Sequence, residues 1–146
     1  MVDRAVALDP NSVRAWEQRG WTYVIAGQPE EAIRSFARTI RLGLFDPSLF
    51  SGFTGMGAAF IGLGRFDEAI SAAKKAVRQN RLYPFAYRCL ASALAHLGRE
   101  AEVKEAVAGL FELDPDFRIS VRVTRGGGGS RLQLYIDGLR KAGLPE

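Results

Sequence analysis

Apolar side chains return along this chain at intervals of three and four, in paired stretches that break at a glycine and resume after one or more acids. The first stretch of each pair carries an aromatic residue, a small residue four positions later and a large apolar residue three beyond that. The sets are Trp16, Gly20 and Tyr23; Phe53, Gly57 and Phe60; and Tyr87, Ala91 and Leu94. Spacings of four and three place each set on one face of an α-helix. The small central residue leaves room for a partner helix to approach. The second stretches follow the same logic, with Ala32, Phe36 and Thr39 matched by Ala69, Ala73 and Ala76.

Between the two stretches stand Gly27, Gly64 and Gly98, spaced by 37 and then 34 residues. Glycine there accepts the left-handed conformation that closes a helix. Glu30, Glu31, Asp67, Glu68, Glu100 and Glu102 follow at the start of each second helix, opposing the positive end of its dipole. Proline in Leu8-Asp9-Pro10, Phe45-Asp46-Pro47, Tyr83-Pro84 and Leu113-Asp114-Pro115 stops one helix or starts the next. A period near 34 implies stacked helix pairs, each unable to bury its own apolar face without a neighbour.

These residues resemble the tetratricopeptide repeat (TPR): an aromatic, a Gly or Ala, a second large apolar residue, then Gly-x-x-x-Glu-Ala-Ile and a closing Asp-Pro. The resemblance runs from Val13 to Phe117, with Ala5 to Ser12 similar to the tail of a preceding unit. The first unit has three extra residues before Asp46-Pro47, and the third carries Val103 and Leu110 where the family usually has alanine. The expected fold is all-α, a TPR-like solenoid of about three helix pairs with a partial N-terminal helix and a C-terminal capping helix. The expected divisions are 1–12 for the partial unit, then units at 13–49, 50–83 and 84–117. An extended segment with a glycine-rich linker follows at 118–130, and the capping helix at 131–146.

The extended segment is read from Phe117, Ile119, Val121 and Val123 alternating with Arg118, Ser120, Arg122 and Thr124, a period of two. Gly126 to Gly129 and Ser130 have no side chains to bury, as in a linker, whether natural or engineered. A phosphate-cradling loop needs a following Lys-Ser/Thr that this run lacks. Leu132, Tyr135, Ile136 and Leu139 then define a short amphipathic helix, placed over the exposed face of the last repeat. The ending from Asp137 to Glu146, and the stretch Leu113 to Ser120, resemble the tail of bacterial adenylate and guanylate cyclases that carry a TPR module after their catalytic domain. Such a catalytic domain would lie upstream, so the resemblance implies no cyclising activity for this chain.

Composition narrows the setting. At 146 residues, 47% hydrophobic and 25% charged, the chain matches a soluble globular protein. Its one cysteine, Cys89, excludes an internal disulfide and fits a reducing, cytoplasmic location. The early Asp3 and the lack of an apolar core segment argue against a secretory signal. The longest uncharged run, Pro47 to Gly64, holds five glycines and follows the repeat register, so no membrane span is expected. A net charge of +4 is too small an excess for a nucleic-acid-binding tail.

In a TPR stack the first helices line a concave groove. Carrying those positions over gives Arg14, Glu17, Trp21, Val24 and Ile25; Ser51, Thr54, Ala58 and Ile61; and Phe85, Arg88, Ser92 and His96. The mix suits an apolar peptide or helix. Family members that clamp acidic C-terminal tails use Lys and Asn at places held here by Glu17, Trp21, Thr54, Ala58, Arg88 and Ser92, so that clamp is absent. Trp21 is either an interaction anchor or packing between first helices. His96, the one histidine, has no neighbour with which to hold a metal, and Cys89 reads as a small interior residue.

No Ser/His/Asp set, carboxylate pair, HExxH or CxxC is present. The leading expectation is thus a non-catalytic interaction module without cofactor or metal, binding a protein or peptide. An uncapped N-terminal edge favours homodimerisation. The alternative is an anionic-surface binder, nucleic acid or membrane, using Arg34, Arg38, Arg41, Lys74, Lys75, Arg78 and Arg81. Glu30, Glu31, Asp67 and Glu68 partly offset these charges, so a nucleic-acid partner is not expected.

Overall fold

The computed structural model describes residues 2–122 and 132–146. In chain order the helices are α1 (Val2–Leu8), α2 (Val13–Ile25), α3 (Pro29–Leu42), α4 (Leu49–Gly62), α5 (Phe66–Gln79), α6 (Pro84–His96), α7 (Glu100–Leu113), α8 (Ile119–Arg122) and α9 (Gln133–Lys141). There is no strand among the described residues. Each of α2/α3, α4/α5 and α6/α7 packs as a pair, and each second helix packs on the first helix of the next pair. The result is the expected all-α solenoid.

Local signals start and stop these helices. Ser12 caps α2, its hydroxyl accepting from the Ala15 N–H at 3.1 Å. Pro29 and Pro84 stand in the first turns of α3 and α6, where a missing N–H costs no helical bond. Gly27, Gly64 and Gly98 have φ of 75°, 72° and 70°, so a side chain at any of them would strain the turn that reverses the chain within a pair.

The seam between helices is built from small residues facing large ones. Ala32, Phe36, Ala69, Ala73 and Ala76 are completely buried, as the second-helix pattern predicts. Phe36 fills the space that two glycines leave open: a Cβ on Gly20 would lie 2.7 Å from its ring, and one on Gly55 would also overlap it. Gly57 lies against the backbone of α5, with its missing Cβ 3.4 Å from the Ala69 carbonyl oxygen. Burying a phenylalanine side chain is worth about 1.5–3 kcal/mol, so these vacancies in first helices position a principal core contact.

At the N-terminal end, Arg19 ties three helices together. Its Nε donates to Asp3 of α1 at 2.7 Å, and its guanidinium also reaches Glu31 at 3.1 Å and Ser35 Oγ at 2.5 Å in α3. The Trp16 and Tyr23 rings flank the same guanidinium, 5.7 and 4.6 Å from it.

One expectation is corrected. The segment after Asp116 is not extended where it is described: Ile119–Arg122 forms a helical turn. Phe117 and Ile119 are both buried, and the Ile119 N–H donates to the Pro145 carbonyl at 2.9 Å, so the C-terminal tail satisfies it in place of a strand partner. Alternation over so few residues does not discriminate strand from helix. The remainder of that segment and the Gly126–Ser130 run lie outside the described residues.

Candidate functional site

The first helices α2, α4 and α6 lie side by side and form one face of the stack. The C-terminal helix α9 lies on this face, packed along α6 and reaching α4. It therefore covers the last unit on its concave side. The pattern that made α9 amphipathic turns Tyr135, Ile136 and Leu139 inward, joined by Leu144 beyond the helix end.

Polar contacts fix the position of α9. Ser92 Oγ donates to the Tyr135 carbonyl at 2.9 Å, and His96 Nε2 donates to the Leu134 carbonyl at 2.6 Å. The Lys141 ammonium approaches the other imidazole nitrogen, Nδ1, at 3.4 Å, and the ring stacks on Phe66 with centroids 4.3 Å apart. Gly138 meets α6 at close range; a Cβ there would lie 2.6 Å from the Ser92 carbonyl oxygen.

Beside α9 the groove is open. A cleft of about 630 Å³ is lined by Trp21, Tyr83, Pro84, Phe85, Arg88, Leu113 and Asp114. Trp21 stands at its edge, 5.5 Å from Phe36 and 5.6 Å from Phe85 by ring centroids, and its Nε1 donates to Ser51 Oγ at 3.3 Å. The Arg88 guanidinium lies 4.5 Å over the Phe85 ring and 5.5 Å from Phe117, held by its attraction to the aromatic faces. Burial raises the Tyr83 phenol above its ordinary range. Two buried donors near this cleft, Arg88 Nε and the Tyr135 hydroxyl, have no hydrogen-bond partner among the described residues. A second depression of about 480 Å³ adjoins Trp21 on α2, lined by Val2, Arg14, Glu17, Gln18, Thr22 and Ile25.

The groove positions named from sequence thus divide in two. Arg14, Glu17, Trp21, Phe85 and Arg88 line open surface. Val24, Thr54, Ala58, Ile61 and Ser92 are buried. The C-terminal helix α9 covers Ser92 and His96, and Leu132, just before it, approaches Ala58 and Val24. Thr54 is fully interior, its hydroxyl donating to the Phe50 carbonyl of its own helix at 2.7 Å and its carbonyl facing Cys89 Sγ at 3.9 Å. Trp21 packs between first helices and also lines the cleft.

Tyr83, Pro84, Leu113 and Asp114 were missed as cleft residues. In the sequence all four stand only as helix-boundary residues, and nothing in the repeat pattern marks such corners as walls. Tyr135 was read as a covering residue alone.

The basic positions lie on the outer helices α3 and α5, except Arg81 in the turn that follows α5. Arg34 pairs with Glu31 at 3.1 Å and Lys74 with Glu102 at 3.2 Å. Exposed Leu8, Phe45 and Leu82 recur at the three turns between successive units. Among the described residues no three His, Cys, Asp or Glu are grouped to hold a metal ion, and no helix is long and apolar enough to cross a membrane.

Two family models, both of the tetratricopeptide repeat, match residues 2–34 and 54–102, together more than half of the chain. A crystal structure of MamA is similar over 97% of this chain and 82% of its own, at 23% identity and a TM-score of 0.72. In two further MamA structures this chain spans 64% of the length, at 25% and 27% identity. The first TPR of Spaghetti (RPAP3), bound to the HSP90 peptide SRMEEVD, is similar over 88% of this chain and 95% of its own, at 24% identity and a TM-score of 0.66. YrrB, a TPR protein with an unusual peptide-binding site, matches over 97% and 72%, at 23% identity and a TM-score of 0.65. No curated protein matches the chain.

Proposed function

The chain belongs to the tetratricopeptide repeat family, and from that premise we propose that this non-catalytic interaction module takes a partner protein's peptide segment into its concave groove. The observation that carries this reading is the open aromatic cleft between Trp21, Tyr83, Phe85 and Arg88, next to the depression bearing Arg14 and Glu17. Rigid aromatic walls with one guanidinium suit a short segment whose apolar side chain enters the cleft beside an acceptor group. RPAP3 with its HSP90 peptide and YrrB support peptide binding as the kind of function this fold serves.

Selection of a displayed peptide library on the immobilised full chain tests this. Selected peptides are expected to lose about tenfold or more in affinity, some 1.4 kcal/mol, on Arg88→Ala and Glu17→Ala. The outer change Arg78→Ala should leave binding unchanged. A library that yields only peptides indifferent to Arg88 and Glu17 would remove the proposal.

Two finer readings complete it. The tail from Asp137 to Glu146 and the stretch Leu113 to Ser120 support a place in the regulatory C-terminal part of a bacterial cyclase-like protein of the cytoplasm. A genomic sequence with no cyclase domain joined to this region would count against that. The recurring exposed Leu8, Phe45 and Leu82 support self-association, which light scattering at rising concentration would reveal. Binding of anionic surfaces through Arg34, Arg38, Arg41, Lys74, Lys75, Arg78 and Arg81 is the weaker alternative, since Arg34 and Lys74 already have carboxylate partners. It requires affinity for nucleic acid or anionic vesicles that falls steeply with salt.

A further inference from the structure

The seat of α9 has properties of a binding site that the chain fills with its own segment. Nine residues of helix are too few to persist alone in water, so the helicity of α9 depends on the surface that receives it. Ser92 and His96 both bond to main-chain carbonyls of α9, which any helix presents. Side-chain selection falls to four places: Tyr135, Ile136 and Leu139, which enter the core, and Gly138, where the Ser92 carbonyl leaves no room for a Cβ.

The fit has one defect. Tyr135 is 3% exposed and its hydroxyl has no hydrogen-bond partner among the described residues, and the same holds for the buried Arg88 Nε beside the same Phe85 ring. An unpaired buried hydroxyl weakens the contact that buries it, whereas a phenylalanine would fill the same space without that loss.

We propose that α9 is an internal, imperfect ligand for the half of the groove over α4 and α6. The partner that replaces it is an amphipathic helix with phenylalanine or another apolar residue in place of Tyr135, glycine in place of Gly138 and leucine in place of Leu139. This deepens the groove reading by naming a second ligand class at a second seat, distinct from the open cleft.

The probe is a fluorescent peptide of residues 132–146 carrying Tyr135→Phe. It is titrated into the full wild-type chain and into full-chain Gly138→Gln, whose own α9 can no longer dock. Binding is expected to be about tenfold tighter to the variant, because no internal competitor has to leave. A peptide that also carries Gly138→Gln should bind neither chain. Hydrogen exchange on the wild-type chain provides an arm that needs no variant. Saturating peptide is expected to speed exchange of the α9 amides and leave α4 and α6 protected. Equal affinity for both folded chains, or α9 amides unmoved at saturation, would overturn the proposal. So would a wild-type dimer that trades α9 between copies. If Gly138→Gln does not fold, the exchange experiment alone decides. Library peptides indifferent to Arg88 and Glu17 would sink the cleft reading and leave this result standing.

Discussion

Ser92 on α6 donates its hydroxyl to the main-chain oxygen of Tyr135, 43 residues further along the chain, and this bond joins the last repeat to the C-terminal helix. Ser92 is fully buried, so the bond is shielded from competing water. Ser92→Ala removes the donor without adding bulk. It should cost about 1 kcal/mol in urea unfolding and raise exchange of the α9 amides before those of α3 to α5. Uniform loss of protection along the chain would show that α9 is no separate unit.

Phe36 supplies the clearest test of the core. It is completely buried, and a Cβ at either Gly20 or Gly55 would overlap its ring. Phe36→Ala is expected to destabilise by about 3–5 kcal/mol through a cavity. Gly20→Leu attacks the same contact by overpacking, typically at about 1–3 kcal/mol. The two changes together should cost less than their sum, because a leucine at 20 partly refills the space left by the ring. Chemical denaturation of the four chains checks this, and strict additivity would contradict the contact.

Much of this was legible in the sequence. Trp16-Gly20-Tyr23 and Ala32-Phe36-Thr39 announce helix pairs because their periodicity is a local property, and Gly27, Gly64 and Gly98 announce the turns because φ is local too. The groove was less legible. Repeat register names the face on which Ala58 and Ser92 lie, but whether that face is free depends on a helix more than thirty residues away in sequence. Tyr135, Ile136 and Leu139 show that α9 is amphipathic without stating which surface receives it. Ile119 was misread because its hydrogen-bond partner, the Pro145 carbonyl, is also remote.

Cys89 should be inert while the chain is folded. It is fully buried, and that burial pushes its thiol from 9.0 to about 12. Only the thiolate reacts readily with disulfide reagents, so at pH 8 the native chain should label at the rate of unfolding, not of chemistry. The same shift has a sign in stability. Between about pH 9 and 12 the unfolded thiol gives up its proton while the folded one keeps it. This contribution is thus complete below pH 9 and declines as pH rises toward 12. Rapid native labelling at pH 8 would place the thiol nearer solvent than described.

Trp21 links the groove to a spectroscopic readout. The chain has two tryptophans, Trp16 beside Arg19 and Trp21 at the cleft, so Trp16→Phe leaves a single reporter. Half-buried between Phe36 and Phe85, the Trp21 indole keeps one edge open and holds Ser51 through its Nε1. A segment entering the cleft displaces water from that edge, and the emission should shift to shorter wavelength in proportion to occupancy. Trp21→Phe retains an aromatic ring but loses the bond to Ser51. It is expected to weaken peptide binding severalfold while lowering stability by about 1 kcal/mol or less. Emission unmoved at saturating peptide would place the bound segment elsewhere on the solenoid, and the cleft would then be structure without a ligand.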